Sequence, residues 1–193
     1  MFIFNRPIVA PLVALASSLL LVSVAPLAIA QDANKEIRRG QYLVQFGGCH
    51  DCHTPKVMTA KGPVLDETRL LSGHPSHASL PALPQGVISP TQWGAAANSD
   101  LTAWAGPWGI SFAANLTPDA TGLGGWTAQQ FMQAMRTGRH AGVGRPLLPP
   151  MPWFNVAVLT DQDLKALFAY LQSVKPISNQ VPEPIAPKVT AAR

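Results

Sequence analysis

The stretch Gly47–Pro55, GGCHDCHTP, holds both cysteines of this 193-residue chain. Two residues separate Cys49 from Cys52, and His53 follows at once. This C-x-x-C-H spacing is typical of sites that attach haem covalently. On one helical turn each thiol can form a thioether with a porphyrin vinyl group, and the next residue brings an imidazole to the iron. The pattern predicts Cys49 and Cys52 as attachment residues and His53 as the proximal iron ligand. His50 would then be a spacer facing solvent.

Two other functions of the paired cysteines stay open at this point. A structural zinc site needs four ligands, and because the chain has no further cysteine, His74, His77 and His140 would have to complete it. A disulfide or thiol-exchange pair is compatible with an exported protein. Such pairs usually follow a strand of a βαβ unit, and no strand pattern precedes Cys49.

The first thirty residues have the pattern of a secretory signal. Arg6 is their one charged side chain, a long apolar run follows, and Ala28 and Ala30 provide a small-x-small site. This arrangement predicts a signal peptide with cleavage before Gln31. The apolar run is longer than is usual for such signals, so an uncleaved membrane anchor is the alternative.

Composition limits the remaining possibilities. The formal net charge is +4 and no run of Lys or Arg is present, which argues against a nucleic-acid partner. Charged residues make up 12% of the chain, while there are nineteen prolines and fifteen glycines. We therefore expect a few helices joined by long, ordered loops.

Three segments have helical patterns. NKEIRRGQYLVQF predicts a helix starting near Asn34. In WTAQQFMQAMRTG, Thr127 and Gln130 match a capping box and Gly138 is a typical stop. In LTDQDLKALFAYLQSV, Thr160 is the expected N-cap of a third helix.

From Lys56 to about Gly125 no long helical pattern is present. We expect loops with short strands or single turns there, and an extended tail beyond Lys175 because prolines recur in it. So much irregular chain is unusual in a compact domain unless it is functional. A bound group is the candidate around which it folds.

The sixth iron ligand would determine how a haem is used. A methionine there raises the reduction potential and suits electron transfer. Met151 lies in RPLLPPMPWF, where the neighbouring prolines restrict the backbone and can hold the sulfur in place. We therefore predict Met151 as this ligand. The alternatives are Met58, Met132, Met135, His74 and His77.

Three segments, RRGQYLVQFGGCHDCHTP, LLPPMPW and LTDQDLKALFAYL, occur in the order found in monohaem c-type cytochromes, and the chain resembles that family. ANLTPDATGLGGWTAQQFMQAMRTGRH is similar to stretches of bacterial periplasmic cytochromes and of cytochrome domains in dehydrogenase complexes. The resemblance implies an all-α, cytochrome c-like fold: a few helices wrapped with long loops around one covalently bound haem c. It also implies that Gly40 on the first helix meets Leu167 and Tyr170 on the last.

The same resemblance implies the iron ligands His53 and Met151. Together with the signal pattern and the recurring prolines, it predicts three parts of the chain: a signal peptide over 1–30, a cytochrome c domain over 31–175 and a proline-rich tail over 176–193. The separation of the two ligands exceeds that in the smallest family members. The extra chain, the insertion, is mostly Lys61–Phe112. Candidates for contact with the haem propionates are Trp126, Arg136, Arg139 and Arg145.

The function implied is that of an exported, periplasmic single-electron carrier cycling Fe(III) and Fe(II), rather than an enzyme. Its partners would be redox proteins such as a dehydrogenase, an oxidase or another cytochrome. Membrane association would require retention of the N-terminal segment. The alternative function is a haem enzyme or ligand sensor with an open distal site.

Overall fold

The computed structural model describes the backbone of residues 24–89 and 91–187, and side chains from residue 31 onward. Most of the predicted signal peptide, 1–23, and the end of the tail, 188–193, lie outside the described residues. The chain divides into two compact units between Asn34 and Lys35. The core and the candidate site lie in the second unit.

Five α-helices, one short 3₁₀ helix and five short strands are present in the described part of the chain. The helices are α1 Val24–Phe46, α2 Cys49–His53, α3 Ala128–Thr137, α4 Trp153–Val156 and α5 Asp161–Ser173, with the 3₁₀ turn at His140–Gly142. The strands are β1 Lys56–Thr59, β2 Gly62–Leu65, β3 Ala96–Ala97, β4 Ala103–Gly106 and β5 Gly109–Phe112.

The first helix begins earlier than predicted. It starts at Val24 rather than near Asn34. Four of the ten helical residues before Asn34 are Ala, the strongest helix former.

The crossing of α1 and α5 depends on Gly40. A Cβ atom at Gly40 would overlap the carbonyl group of Ala166 and lie 2.7 Å from the Cβ of Tyr170. The predicted contact with Tyr170 is therefore confirmed, whereas the other nearest atoms belong to Ala166 rather than Leu167. Beside the crossing, the Arg39 guanidinium donates to the Asp163 carboxylate across 2.8 Å.

The hydrophobic core joins α1, α3 and α5. Its buried members come from these helices and from the loops around Leu71 and Leu123. The predicted caps are confirmed: Thr127 and Gln130 form a capping box, Gly138 ends α3 in the left-handed region, and Thr160 accepts from the amide of Asp163. The core consists of Leu43, Val44, Leu71, Leu123, Phe131, Ala134, Met135, Leu164, Leu167 and Leu171.

The segment between the haem motif and α3 contains two small antiparallel sheets. One is the hairpin β1–β2, in which Val57 pairs with Val64. The other has the strand order β3–β4–β5, with Trp104 opposite Ser111. The short strands and long loops agree with the expectation for this segment. The described chain therefore contains strands as well as the helices that form the core.

The proline-rich tail is extended and is fastened to the preceding loops. Ile177 donates its amide to Thr117 Oγ1, and Asn179 donates through Nδ2 to the carbonyls of Ser72 and His74. Ile185 forms an isolated bridge with Ile110 of β5. The tail therefore ties the insertion to the loop before α3.

Candidate functional site

The paired cysteines lie on α2, a helix of five residues. Gly48 precedes it in the left-handed region, with φ 63°, a conformation that costs glycine little. The Lys56 ammonium caps the other end: it donates to the carbonyls of Thr54 (2.9 Å), His50 (3.3 Å) and Asp51. A cation is favourable at a helix C-terminus. The motif is therefore held on a single capped turn.

Both cysteine side chains are free thiols and partly buried. Burial raises the pKa of Cys49 to about 11. Burial also raises the pKa of Cys52, while the charge of Lys56 acts in the opposite direction. The two sulfurs are not paired as a disulfide.

The His53 ring is oriented by a backbone carbonyl. Its Nδ1–H donates to the oxygen of Ala114 across 2.8 Å, which leaves Nε2 as the atom with a free lone pair. Burial lowers the pKa of His53, and the hydrogen bond to Ala114 opposes that shift. A neutral imidazole with a fixed Nδ1–H is the form in which histidine ligates a metal through Nε2.

His74 is buried beside this segment and takes part in another hydrogen-bond chain. The Thr102 hydroxyl donates to Asp100 (2.7 Å), so His74 Nδ1 is the donor to Thr102 Oγ1 (2.7 Å). The His74 ring also lies 4.8 Å from that of Phe112. Burial lowers the pKa of His74. His77, the other histidine alternative, is exposed.

Met151 lies in a loop attached to both the core and the insertion. Its side chain is partly buried and packs against the hydrophobic core, as does that of Cys49. The carbonyl of Pro149, two residues before it, accepts a 2.5 Å hydrogen bond from Ser111 Oγ on β5. Trp153, two residues after it, packs on Gly138, where a Cβ would overlap the indole.

The other methionines have different surroundings. Met135 is a core residue that is 9% exposed, and Met132 packs against the same core. Met58 is 67% exposed on β1. Met132 and Met135 thus have the packing role common for methionine in helices, and Met58 lies at the surface.

The three arginines that are candidates for propionate contacts each have a protein partner. Arg136 pairs with Asp161 and also donates to the carbonyl of Ala157. Arg139 donates to the carbonyl of Gly144 (3.0 Å), and Arg145 lies 3.6 Å from Glu183. Trp126 packs edge-on against the ring of His140.

His50 is not simply a solvent-facing spacer. Its side chain is partly buried, and its Nδ1 lies 2.9 Å from Thr54 Oγ1. With Glu67 and Tyr170 it lines a cavity of about 90 Å³. The sequence did not indicate this cavity because it forms only where the motif meets the end of α5.

The donor set fits a covalently attached haem. Two free thiols lie one turn apart, an imidazole next to them has its Nδ1 already bonded, and a thioether lies in an anchored loop near the same core. Among residues 31–89 and 91–187, no three His, Cys, Asp or Glu side chains gather into a group that could hold a metal ion. The zinc alternative therefore has no cluster among those residues.

The chain belongs to the cytochrome c family, whose model matches residues 37–175. It is a c-type cytochrome with a cytochrome c-like helical fold, and its cofactor is one covalently bound haem c. The residue that orients His53, Ala114, acts through its backbone carbonyl. Sequence reasoning could not find it, because every residue carries such a group.

Relatives of this chain are named as parts of dehydrogenases. It is 31% identical over 160 residues to the gluconate 2-dehydrogenase cytochrome c subunit of Pantoea cypripedii, covering 81% of this chain and 27% of that protein. It is 29% identical over 154 residues to the cytochrome c subunit of alcohol dehydrogenase (quinone) from Gluconobacter oxydans, covering 78% and 24%. With the fructose dehydrogenase cytochrome subunit of Gluconobacter japonicus it shares 40% identity over 79 residues, covering 40% and 16%.

The chain thus spans about a quarter of the length of the first and second of these relatives. The family and these relatives indicate a role in electron transfer. Within the described part of the chain, every helix is too short or too polar to cross a membrane.

Proposed function

We propose that this chain is an exported single-haem electron carrier with a histidine–methionine iron centre. Cys49 and Cys52 hold the haem through thioethers, His53 Nε2 is the proximal ligand and Met151 Sδ is the distal ligand. When bound, the haem supplies a one-electron Fe(III)/Fe(II) couple, and a thioether ligand raises its potential. The observation that carries this proposal is the His53 Nδ1–H bond to Ala114, which leaves Nε2 free to ligate.

The chain's own residues keep this centre rigid. Ala114 fixes the ring plane of His53, and Ser111 fixes the loop of Met151. A centre whose ligands are held in place changes little between oxidation states. A closed sixth position also excludes other ligands, which distinguishes a carrier from a haem enzyme or a ligand sensor.

The proposed partner is a dehydrogenase that passes electrons to this haem one at a time. The dehydrogenase subunits among the relatives support that choice. The proposed location is the periplasm, reached through a signal peptide over 1–30. The cytochrome c domain would extend over 31–175, with the tail 176–193 tied to its insertion.

Haem attachment is tested by mass spectrometry of the purified holoprotein. Trypsin cleaves after Arg39 and Lys56 and so releases a peptide of residues 40–56 that contains both cysteines. We expect this peptide to carry the mass of one haem. A bare peptide, with the haem mass absent from it, would refute the attachment residues.

The distal ligand is tested by the ferric absorption spectrum of Met151→Ala. The wild type should show the weak long-wavelength band of a sulfur–iron bond, and the variant should lack it and bind carbon monoxide readily when reduced. Met58→Ala is the control, because Met58 is exposed and its loss should leave the band intact. If the band survives in Met151→Ala, the distal ligand is another residue.

A further inference from the structure

Ser111 is a buried hydroxyl in the insertion with contacts on three sides. It lies in β5 opposite Trp104 of β4 and is 7% exposed. Its Oγ lies 2.5 Å from the carbonyl oxygen of Pro149 and 3.4 Å from that of Trp104. The indole N–H of Trp108 donates to the same Oγ across 3.2 Å. One side chain thus joins the sheet to the Met151 loop.

The donors and acceptors determine where the Ser111 proton lies. A serine hydroxyl has one hydrogen and accepts through its lone pairs. Because Trp108 donates to the Ser111 oxygen, the hydroxyl hydrogen is left for a carbonyl group. The carbonyl oxygen of Pro149 is much nearer than that of Trp104. A donor behind the hydroxyl polarises it and strengthens the bond it makes. The main bond of Ser111 therefore leads to the loop.

That bond restrains the segment next to Met151. Pro149 and Pro150 have restricted φ angles, and the Met151 amide donates to the carbonyl of Leu148 in a turn (3.3 Å). Fixing the Pro149 carbonyl leaves the thioether few positions. Ser111 lies 38 residues before Pro149, so this restraint is independent of the loop's own turn.

The chain just beyond β5 contains the residue that orients His53. After Ser111 the chain is fixed at Ala113, whose amide donates to the carbonyl of Thr102 and whose carbonyl accepts from the amide of His74. The next residue, Ala114, accepts from His53 Nδ1. The four residues 111–114 therefore contact the segments of both proposed iron ligands.

We propose that Ser111 is a positioning residue for the Met151 ligand: its hydroxyl holds the loop so that the sulfur stays on the iron. The insertion then helps to keep the sixth position closed. This inference rests on the proposed histidine–methionine centre. Ser111 acts on Met151 through the carbonyl of Pro149.

The test measures cyanide binding to the ferric holoprotein of Ser111→Ala. Cyanide binds the iron when Met151 has dissociated from it. The apparent cyanide affinity therefore rises in proportion to the fraction of protein in which Met151 is dissociated. Loss of one net hydrogen bond should increase that affinity about fivefold. The long-wavelength sulfur–iron band should also disappear at a lower pH than in the wild type.

A matched control is Ser89→Ala, which removes a hydroxyl elsewhere in the insertion whose contact is a 3.5 Å approach to Thr91. It should bind cyanide as the wild type does. A second variant, Trp108→Phe, removes the N–H that donates to Ser111 and keeps an aromatic ring. It should increase the cyanide affinity by a smaller factor than Ser111→Ala does. If Ser111→Ala does not yield holoprotein, Trp108→Phe tests the proposal in its place.

The outcomes separate this inference from the proposed function. If Met151→Ala lacks the sulfur–iron band while Ser111→Ala and Trp108→Phe both bind cyanide as the wild type does, Ser111 is not a positioning residue and the centre stands. If Met151→Ala retains the band, the centre itself is assigned wrongly. An equal increase of cyanide affinity in Ser89→Ala would show general loosening and would also overturn the role of Ser111.

Discussion

The helical frame and the insertion are held together in different ways. The frame, α1, α3 and α5, packs apolar side chains around a glycine crossing and begins its last two helices with side-chain caps. The insertion has short strands and few core residues, and it is fixed mainly by hydrogen bonds between distant residues, such as Asn179 to Ser72. The frame provides most of the core residues, and the chain between the C-x-x-C-H motif and α3 provides the contacts that orient the proposed ligands.

This difference shows how a small family fold can accept a long added segment. Because the frame closes through α1 and α5, the chain between the haem motif and α3 can lengthen without disturbing the core. The added segment still contacts the site, through Ala114 on one side and Ser111 on the other. We therefore expect frame variants to change stability most and insertion variants to change the haem environment most.

The largest effect should follow from Gly40→Ala, which breaks the frame. The new Cβ would overlap the Ala166 carbonyl, and overpacking at a close helix crossing should cost about 3 kcal/mol or more. Chemical denaturation of the holoprotein measures this loss. Gly125→Ala is the control, because a Cβ there meets no atom within 4 Å. Equal free energies of unfolding for the two variants would contradict the close approach of α1 and α5 at Gly40.

An intermediate effect should follow from Asn179→Ala, which loosens the insertion. The variant loses the hydrogen bonds to Ser72 and His74 and the one that Asn179 Oδ1 accepts from the Ser76 amide. We expect a loss of about 2 kcal/mol. In hydrogen exchange, the amides of Gly73 and His74 should lose protection while those of α3 and α5 keep it.

Gln180→Ala is the matched control, because Gln180 is the exposed neighbour of Asn179 in the tail. It should leave both stability and exchange unchanged. Uniform loss of protection across the insertion and the helices of Asn179→Ala would show that the two regions unfold as one unit.

The smallest effect should come from Asp163→Asn, at the surface beside the frame crossing. The hydrogen bond from Arg39, and then that from Thr160, lowers the pKa of Asp163. A carboxylate with a lowered pKa stabilises the fold above its unfolded pKa, about 3.9, and this contribution is lost as the pH falls through the folded value. The wild type should thus be slightly more stable than the variant at pH 7, and the difference should vanish as the pH falls through the folded pKa of Asp163.

A double-mutant cycle with Arg39→Gln isolates this pair. The coupling free energy between Arg39 and Asp163 should be small and should decrease as salt is added, because the pair is solvent-exposed. A stability difference that persists unchanged to low pH would show that Asp163 acts through packing rather than through its charge.

The sequence predicted the frame well because the frame follows local rules. The capping box at Thr127, the cap at Thr160 and the close approach at Gly40 all come from short-range patterns or from the family resemblance. The predicted start of α1 was wrong because residues with high helix propensity also precede Asn34. His50 was placed in solvent because its neighbours in space, Glu67 and Tyr170, are distant in sequence.

The insertion could be described only as loops with short strands. Strands of two to four residues rich in Ala and Gly show no clear alternation, and their pairing is set by non-local contacts. The roles of Ala114 and Ser111 depend on a backbone carbonyl and on a partner beyond the strand. Neither leaves a pattern in the sequence.

X-ray absorption at the iron edge of the ferric holoprotein tests the central claim most directly. That claim is that segment 111–114 positions both proposed iron ligands: Ala114 orients His53, and Ser111 holds the loop of Met151. The spectrum should show one sulfur ligand together with five nitrogen ligands, and the sulfur should be absent from Met151→Ala. Six light-atom ligands in the wild type, or a sulfur that persists in the variant, would contradict the account.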